Sequence, residues 1–373
     1  MICIDELKMP TLEKIIVQDF RNIAFQELSF SPNVNCISGG NGEGKTNLLD
    51  AVYYLSMTKS AFSPSDRFNF RYGCDAFSLA GTYAMPSGLS SVITMSVSSS
   101  GEKKVRRDDK PYARVSEHIG LLPVVMVSPS DSALVSESGE ERRRFMNAVL
   151  SQMDREYLSD VQQFNRLLAQ RNLLLKKGTP EEDYLEVLDL QMSGYAQRIH
   201  SARKAFAAQL TPAVSRFYGI LSSGREDVCV AYRSDMDQAP LEELLRGCRE
   251  RDFAMRFTTA GPQRDDLVFL MDGHPIRRAG SQGQQKSFLV SLKFAQYEIM
   301  KEKYGFAPIL LLDDVFDKLD LGRISNLLSM VAGSDFGQIF ITDSNKVRMA
   351  GILDTFTSDR AYFECTGGTF KEL

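Results

Sequence analysis

The sequence predicts an α/β fold: a mixed sheet flanked by helices, an antiparallel β subdomain beside it, and a helical arm inserted mid-chain. Three observations predict it. The glycine-rich loop Gly39-Gly40-Asn41-Gly42-Glu43-Gly44-Lys45-Thr46 lies between a short apolar run and a helical pattern. The aliphatic run Ile309-Leu310-Leu311-Leu312 ends in two carboxylates, Asp313 and Asp314. Between them, from about residue 140 to 222, apolar residues recur at helical spacing with almost no strand signal.

The elements follow in order. Met1 to Pro10 carries Asp5, Glu6 and Lys8 and lacks the apolar core of a signal peptide, so it reads as a short loose leader. Residues 15–20 and 25–30 alternate apolar with polar and read as paired strands joined near Arg21-Asn22. Val34-Asn35-Cys36-Ile37 is a strand feeding the glycine-rich loop, and residues 47–55, starting at Asn47, have apolar positions at helical spacing. The glycines let the backbone curl so that several N–H groups point inward at a phosphate. Lys45 supplies a positive charge at the β/γ-phosphates, and the Thr46 hydroxyl is placed to hold Mg²⁺. The phosphate then sits on a helix N-terminus, where the dipole favours it. Residues 77–83 and 91–97 alternate as strands, and 121–127 reads as a buried strand ended by Ser128-Pro129.

The texture changes near residue 140. Phe145, Val149, Leu150, Met153, Leu158, Val161, Phe164, Leu167 and Leu168 define one helical face. After a break at Lys177-Gly178-Thr179-Pro180, a second helix starts around Glu181 with Leu185, Leu188, Met192, Tyr195 and Ile199 on its face. These form an antiparallel arm. Strand character returns at 228–232 and 267–270, and the last stretch alternates strands and helices. The expected boundaries are 1–138 for the N-terminal part of the head, 139–225 for the arm, and 226–373 for the C-terminal part of the head.

An unbroken aliphatic run suits a strand buried on both faces of a parallel sheet, with Asp313 emerging at its C-terminal edge where ligands bind. Asp313 is placed to hold Mg²⁺; Asp314, pointing the other way by strand alternation, to orient an attacking water. Thr46 and Asp313 lie far apart in the chain, so the nucleotide core is assembled from both ends around the arm. A further turn, Gly280-Ser281-Gln282-Gly283-Gln284, precedes a long apolar helix. It reads either as a polar helix cap or as a second phosphate-seeking device, which one chain needs only if it closes over the nucleotide of another subunit.

Bulk properties narrow the classes. A net charge of −4 gives no global basic field, so any polyanion surface is a local patch. The cysteines (3, 36, 74, 229, 248 and 365) lie far apart without a C-x-x-C, which argues for reduced thiols in a cytoplasmic protein and against a zinc ribbon. No apolar run is long enough to span a membrane.

Together the glycine-rich loop, the Ser281-Gln282-Gly283-Gln284-Gln285 signature, the Asp313-Asp314 pair and the following Lys318-Leu319-Asp320 resemble the ABC-type P-loop ATPase heads of the SMC superfamily. Within it the chain resembles the RecF family over nearly its whole length. Phe20-Arg21-Asn22 matches that family's N-terminal motif beside the adenine pocket, residues 165–172 the start of its short arm, and residues 258–267 its T-T-x-G-P-H-R-D-D-L segment, with Gln263 in place of the histidine. Glu140 stands where the family often has proline, and Thr342-Asp343 occupies the switch position after the last core strand. The resemblance implies ATP and Mg²⁺ as ligands, a nucleotide site at Arg21, Asn22 and residues 39–47, catalytic roles for Lys45 and Asp314, and Ser281 to Gln284 acting in trans. It assigns Asp320 to the loop between subunits. It also implies an ATP-dependent homodimer that binds single- and double-stranded DNA and, with RecO and RecR, helps load the RecA recombinase at gaps, with slow DNA-stimulated hydrolysis as a switch.

Two basic clusters are candidates for DNA: Lys103-Lys104-Val105-Arg106-Arg107 and Arg142-Arg143-Arg144. Each also reads as a solvated stretch, and Arg142 and Arg143 as ion-pair partners of nearby carboxylates. A transporter subunit would carry Leu-Ser-Gly-Gly-Gln and a switch histidine, and both differ here. Asn345-Lys346-Val347-Arg348 lacks the aspartate of a guanine-reading motif. The remaining alternative is an SMC-like clamp or nucleotide-gated scaffold without recombinase loading.

Overall fold

A computed structural model describes residues 9–178, 182–317, 319–331, 336–345, 351 and 359–373. The leader up to residue 8, Thr179 and Pro180 of the arm break, Lys318, and Lys346 to Arg348 lie outside them. The chain separates into two units: Met1–Asp131 with Lys293–Leu373, and Ser132–Leu292. Residues 226–292 thus group with the arm.

The first unit holds two sheets. One is antiparallel, in the order Ile23–Ser29, Thr11–Phe20, Ala76–Ala84, Ser90–Ser98, Lys103–Arg107, Lys110–Pro111. Its inward positions alternate, as in Phe77, Leu79, Gly81 and Tyr83, because only one face is covered. The other is mixed, in the order Thr369–Glu372, Arg360–Thr366, Val34–Ser38, Ile339–Asp343, Ile309–Asp313, Val124–Val127. All neighbours in it are parallel except the terminal hairpin. Three of its central strands are buried at every position, the pattern of a sheet covered on both sides.

Gln338 joins the two sheets. Its Oε1 accepts from Leu12 N–H at 2.8 Å, while its Nε2 donates to the carbonyls of Leu12 and Ser31, each at 2.8 Å. Phe30 packs edge-on against Phe340 and Phe363, at centroid distances of 4.8 and 5.6 Å.

The second unit contains the helices Gly139–Met153, Arg155–Lys177 and Glu182–Ser222, and a sheet in the order His274–Pro275, Asp266–Met271, Val228–Arg233. The first arm pattern breaks once more than its periodicity predicts. Asp154 leaves helical geometry and its carboxylate accepts the N–H groups of Glu156 and Tyr157, so it caps the helix Arg155–Lys177. The long helix carries Pro212 in its interior. Beside it, the hydroxyls of Thr211 and Ser215 donate to the carbonyls of Val230 and Val228 at 2.6 and 2.7 Å, covering the outer edge of the sheet. No described helix is long and apolar enough to cross a membrane.

Two buried clusters of charge hold this unit. Arg171 is fully buried; its Nε donates to Asp189 and its Nη1 to Asp252, each at 2.6 Å. Asp252 in turn accepts from the N–H and hydroxyl of Thr259. Arg203 donates to Asp265 at 2.6 Å and to the Pro262 carbonyl at 2.7 Å, and Tyr232 donates to the same carboxylate. The Thr258–Leu267 segment is therefore the interior scaffold of the arm. Gln263 donates to the Ala260 carbonyl at 2.7 Å within it.

Candidate functional site

The glycine-rich loop leaves the strand Val34–Ser38 and enters the helix Lys45–Met57. Gly44 has φ +115°, outside the range most side chains accept, and a Cβ there would fall 2.6 Å from Asn22 Nδ2. Asn22 is packed onto the loop: its Nδ2 donates to the Glu43 carbonyl at 2.9 Å and its Oδ1 accepts from Asn47 at 2.7 Å. On the other side a Cβ at Gly39 would sit 2.5 Å from the Cys365 carbonyl oxygen.

The C-terminal hairpin completes this brace. Gly368 N–H donates to the Glu43 carbonyl at 2.7 Å, and Gly367 N–H donates to the Glu43 carboxylate. Cys365 Sγ donates to that carbonyl at 3.4 Å, and burial pushes its thiol up to about 11. Sequence reasoning missed the hairpin. Gly367-Gly368 between two β-prone runs is the signal for the turn, but nothing local says what the turn touches.

Lys45 is buried, and its Nζ donates to the carbonyls of Gly39 and Gly40 at 2.9 and 3.0 Å. Asn41 and Gly42 form the exposed tip. Thr46 Oγ1 donates to Asp313 at 2.9 and 3.0 Å to the two carboxylate oxygens. Sheet register explains the meeting: Ile339–Asp343 lies between the other two strands, with Thr342 opposite both Asp313 and Ile37. The Thr342 hydroxyl donates to Asp313 at 2.7 Å and accepts from the Asp314 N–H at 3.1 Å.

Asp313 is only 2% exposed. Burial lifts its carboxyl above the usual range; the Thr342 and Thr46 hydroxyls oppose that, Asp314 adds to it and Lys45 opposes it. A buried carboxylate facing hydroxyls and no guanidinium is short of positive charge. With Thr46 it offers hard oxygen donors of the kind Mg²⁺ takes when phosphates supply the rest. No group of three or more His, Cys, Asp or Glu suited to a metal occurs among the described residues.

Some expected directions change. The strand ends at Asp313, and Asp314 has φ +45°. A left-handed backbone turn therefore sets its direction, where strand alternation was expected to. Arg21 is engaged behind the loop: Nη2 contacts Ser60 and Ser63 at 2.9 and 3.0 Å and pairs with buried Asp50 at 2.7 Å. Burial raises the Asp50 carboxyl and Arg21 opposes that shift. Asp343 is buried and accepts from the Asn345 N–H at 2.8 Å. Asp320 caps the helix Leu321–Val331, accepting from the Arg323 N–H at 2.9 Å.

In the second unit, Ser281 and Gln282 are exposed at the start of the helix Gln282–Tyr304. Ser281 N–H donates to Gln284 Oε1 at 2.7 Å and Gln284 N–H to Ser281 Oγ at 3.3 Å, a reciprocal capping box beside Gly283.

The basic clusters divide. Lys103 pairs with Asp66 at 2.6 Å and donates to the Thr58 carbonyl; Arg107 contacts Ser91 and Asp108. Lys104 lies exposed beside Glu102, and the exposed Arg106 guanidinium has no partner among the described residues. Arg142 forms a two-pronged pair with Asp266 at 2.7 and 3.1 Å and donates to the carbonyls of Leu134 and Glu137. Arg143 donates to the Asp265 carbonyl at 2.9 Å. Both are held by intramolecular partners, and by ones other than the neighbouring Glu140 and Glu141, which take Arg144.

Residues 14–207 match the AAA domain family. The DNA replication and repair protein RecF of Bacteroides thetaiotaomicron is 42% identical over 363 residues, 97% of this chain and 98% of its own length. A solved structure of the recombination mediator protein RecF with ATP, in the RecFOR pathway, superimposes with a TM-score of 0.89 at 28% identity, covering 99% of both chains. The Smc head domain of Pyrococcus furiosus superimposes with a TM-score of 0.58 at 18% identity over 98% of this chain, which shows a shared fold. The architecture is that of an ABC-type P-loop ATPase head, and by its identity to those relatives across nearly its full length the chain belongs to the RecF family.

Proposed function

We propose that this chain is an ATP-dependent, DNA-binding recombination mediator that dimerises on nucleotide. The observation that carries the reading is the Thr46–Asp313–Thr342 cluster at the carboxyl ends of parallel strands, directly beside the Lys45 loop. Residues 39–47 would cradle the phosphates through backbone N–H groups, with the Lys45 charge at the β/γ-phosphates. Thr46 and Asp313 would hold Mg²⁺, which when bound neutralises charge on the phosphates. Asp314 would orient the attacking water, with Thr342 and Asp343 as the switch beside it. Asn22 keeps the loop in shape; Arg21 braces the segment behind it.

Nucleotide in one copy would be capped by Ser281, Gln282, Gly283 and Gln284 of a second copy, with Asp320 at the same interface. Binding energy contributed by a ligand held between two copies shifts association by mass action. Hydrolysis then releases the dimer and its DNA. For DNA, Lys104 and Arg106 are the accessible cations of the first cluster, and their contacts would be to phosphate and sequence-independent. Membership of the RecF family supports RecO and RecR as partners and loading of the RecA recombinase at single-strand gaps as the outcome.

Light scattering tests this directly. ATP should double the mass of the wild-type chain, and Lys45→Ala should abolish the shift and ATP binding together. A Lys45→Ala protein that dimerises normally with ATP would break the link. DNA affinity should fall by orders of magnitude between about 50 and 200 mM salt; a flat salt profile removes the phosphate-contact reading. Zero turnover with and without DNA would leave a nucleotide-gated scaffold.

A further inference from the structure

The Ser281 turn has a partner that neither its motif nor the expected nucleotide contacts include. Gln284 uses its Oε1 to accept the Ser281 N–H, which leaves its amide Nε2 to be satisfied elsewhere. That Nε2 donates to Glu226 Oε1 at 2.7 Å. The other carboxylate oxygen of Glu226 accepts from the Tyr218 hydroxyl at 3.3 Å. Tyr218 is buried in the last turns of the helix Glu182–Ser222, and Glu226 lies on the short link from that helix to the strand Val228–Arg233. One carboxylate therefore touches the turn with one oxygen and the arm helix with the other. All four residues belong to the same unit.

We propose that Glu226 is the positioning residue of the Ser281–Gln284 turn, fixing its shape for a nucleotide held by a second copy and tying that shape to the arm helix. This rests on the reading that the turn acts in trans. The reason is geometric. A capping glutamine with a free amide end rotates among staggered rotamers. A charge-assisted hydrogen bond holds it in the rotamer that presents Oε1 to Ser281 N–H. Because Glu226 is itself held by Tyr218, movement of the arm helix relative to the turn changes the Gln284 rotamer, and capping of a nucleotide by the turn reports back to the arm. Glu226 touches no reacting atom; it acts through Gln284.

The experiment uses the full-length chain with ATP and Mg²⁺, and compares Glu226→Ala, Glu226→Gln, Tyr218→Phe and Ser281→Arg. Three quantities are read: binding of a fluorescent ATP analogue to the dilute monomer, ATP-dependent dimerisation by light scattering, and kcat and KM for ATP. Glu226→Ala should leave analogue affinity and melting temperature unchanged while weakening dimerisation and kcat about tenfold, the scale of a hydrogen bond to a charged group. Glu226→Gln should restore most of this, because its carbonyl oxygen still accepts from Gln284 and its amide can donate to the Tyr218 oxygen. Tyr218→Phe should show a smaller loss of the same kind. Wild-type dimerisation and kcat in Glu226→Ala, alongside their loss in Ser281→Arg, would overturn the role of Glu226 alone. Equal losses of analogue binding and thermal stability in Glu226→Ala would make it a structural residue and equally overturn the proposal. If Ser281→Arg dimerises and turns over ATP normally, the trans reading fails and this inference with it.

Discussion

The two units bury charge in opposite ways. In the arm unit the buried carboxylates face guanidinium groups: Asp189 and Asp252 face Arg171, Asp265 faces Arg203, Asp160 faces Arg198, and half-buried Asp266 takes both prongs of Arg142. In the head, Asp313 faces two hydroxyls, and the fully buried His118 faces a carbonyl oxygen and a phenol. Asp50, paired with Arg21, and Asp131, paired with Lys293 at 2.8 Å, follow the pattern of the arm. Paired buried charges are held as structure, since removing one partner strands the other. A buried carboxylate left without a counter-charge is costly, and its site is one where a ligand can supply the missing charge, whereas buried His118 avoids the cost by staying neutral. The contrast separates scaffold from site without reference to any motif.

The largest break in that contrast comes from the scaffold. Arg171→Ala leaves Asp252 buried without a guanidinium and Asp189 with only Arg249 at 3.4 Å, and should destabilise the chain by about 3–5 kcal/mol. Denaturant unfolding of the purified protein measures it. A change under about 1 kcal/mol would mean the cluster is better hydrated than its burial suggests. Next in size is Gly44→Ala, with a left-handed backbone and the Asn22 amide in the way of a Cβ. A cost of about 1–3 kcal/mol and loss of nucleotide binding are expected, read by melting curves and by titration with ATP.

Asp313→Asn sharpens the comparison because its sign is opposite. It removes a carboxylate that burial has made unfavourable and keeps an oxygen to accept from the Thr46 and Thr342 hydroxyls. The nucleotide-free protein should gain about 1 kcal/mol of stability while ATP turnover falls by at least about a hundredfold. A loss of stability would place Asp313 with the scaffold carboxylates.

Much of this was legible in the chain. The loop, the strand before it, the helix after it and the aliphatic strand ending at Asp313 follow from glycine spacing and unbroken apolar runs, which are local signals. The meeting of Thr46 with Asp313 was expected from chemistry; Thr342 reads in sequence only as a switch position after the last core strand, whereas it lies within the strand Ile339–Asp343 and donates to Asp313. What stayed hidden depends on contacts between distant segments. Arg142 and Arg143 look like a DNA patch in sequence because their partners, Asp266 and the Asp265 carbonyl, lie more than a hundred residues on. Arg171 looks like one more cation in a charged helix, although it is among the largest fully buried side chains of the described residues. The Gly367-Gly368 clamp on Glu43 closes a separation of more than three hundred residues. The turn of Asp314 was missed because a single left-handed residue leaves no periodic trace.

The smallest effect concerns His118. Its Nε2 lies 2.7 Å from the Leu55 carbonyl and its Nδ1 3.3 Å from the Tyr112 hydroxyl. Burial lowers its pKa from 6.5; the Leu55 carbonyl opposes that, and Arg107 adds to the lowering. The unfolded chain therefore takes up this proton as pH falls below about 6.5, while the folded head does not. Stability attributable to His118 is complete above that pH and is lost as pH falls through 6.5 toward the lower folded value. The loss reaches at most about 0.8 kcal/mol at pH 6. Melting temperatures measured from pH 8 to pH 5.5 should decline on the acid side, and His118→Gln should flatten the decline because glutamine carries no titratable proton. An acid-side slope identical in the wild type and His118→Gln would show that the head does not hold its imidazole neutral, and the contrast between the units would narrow to Asp313 alone.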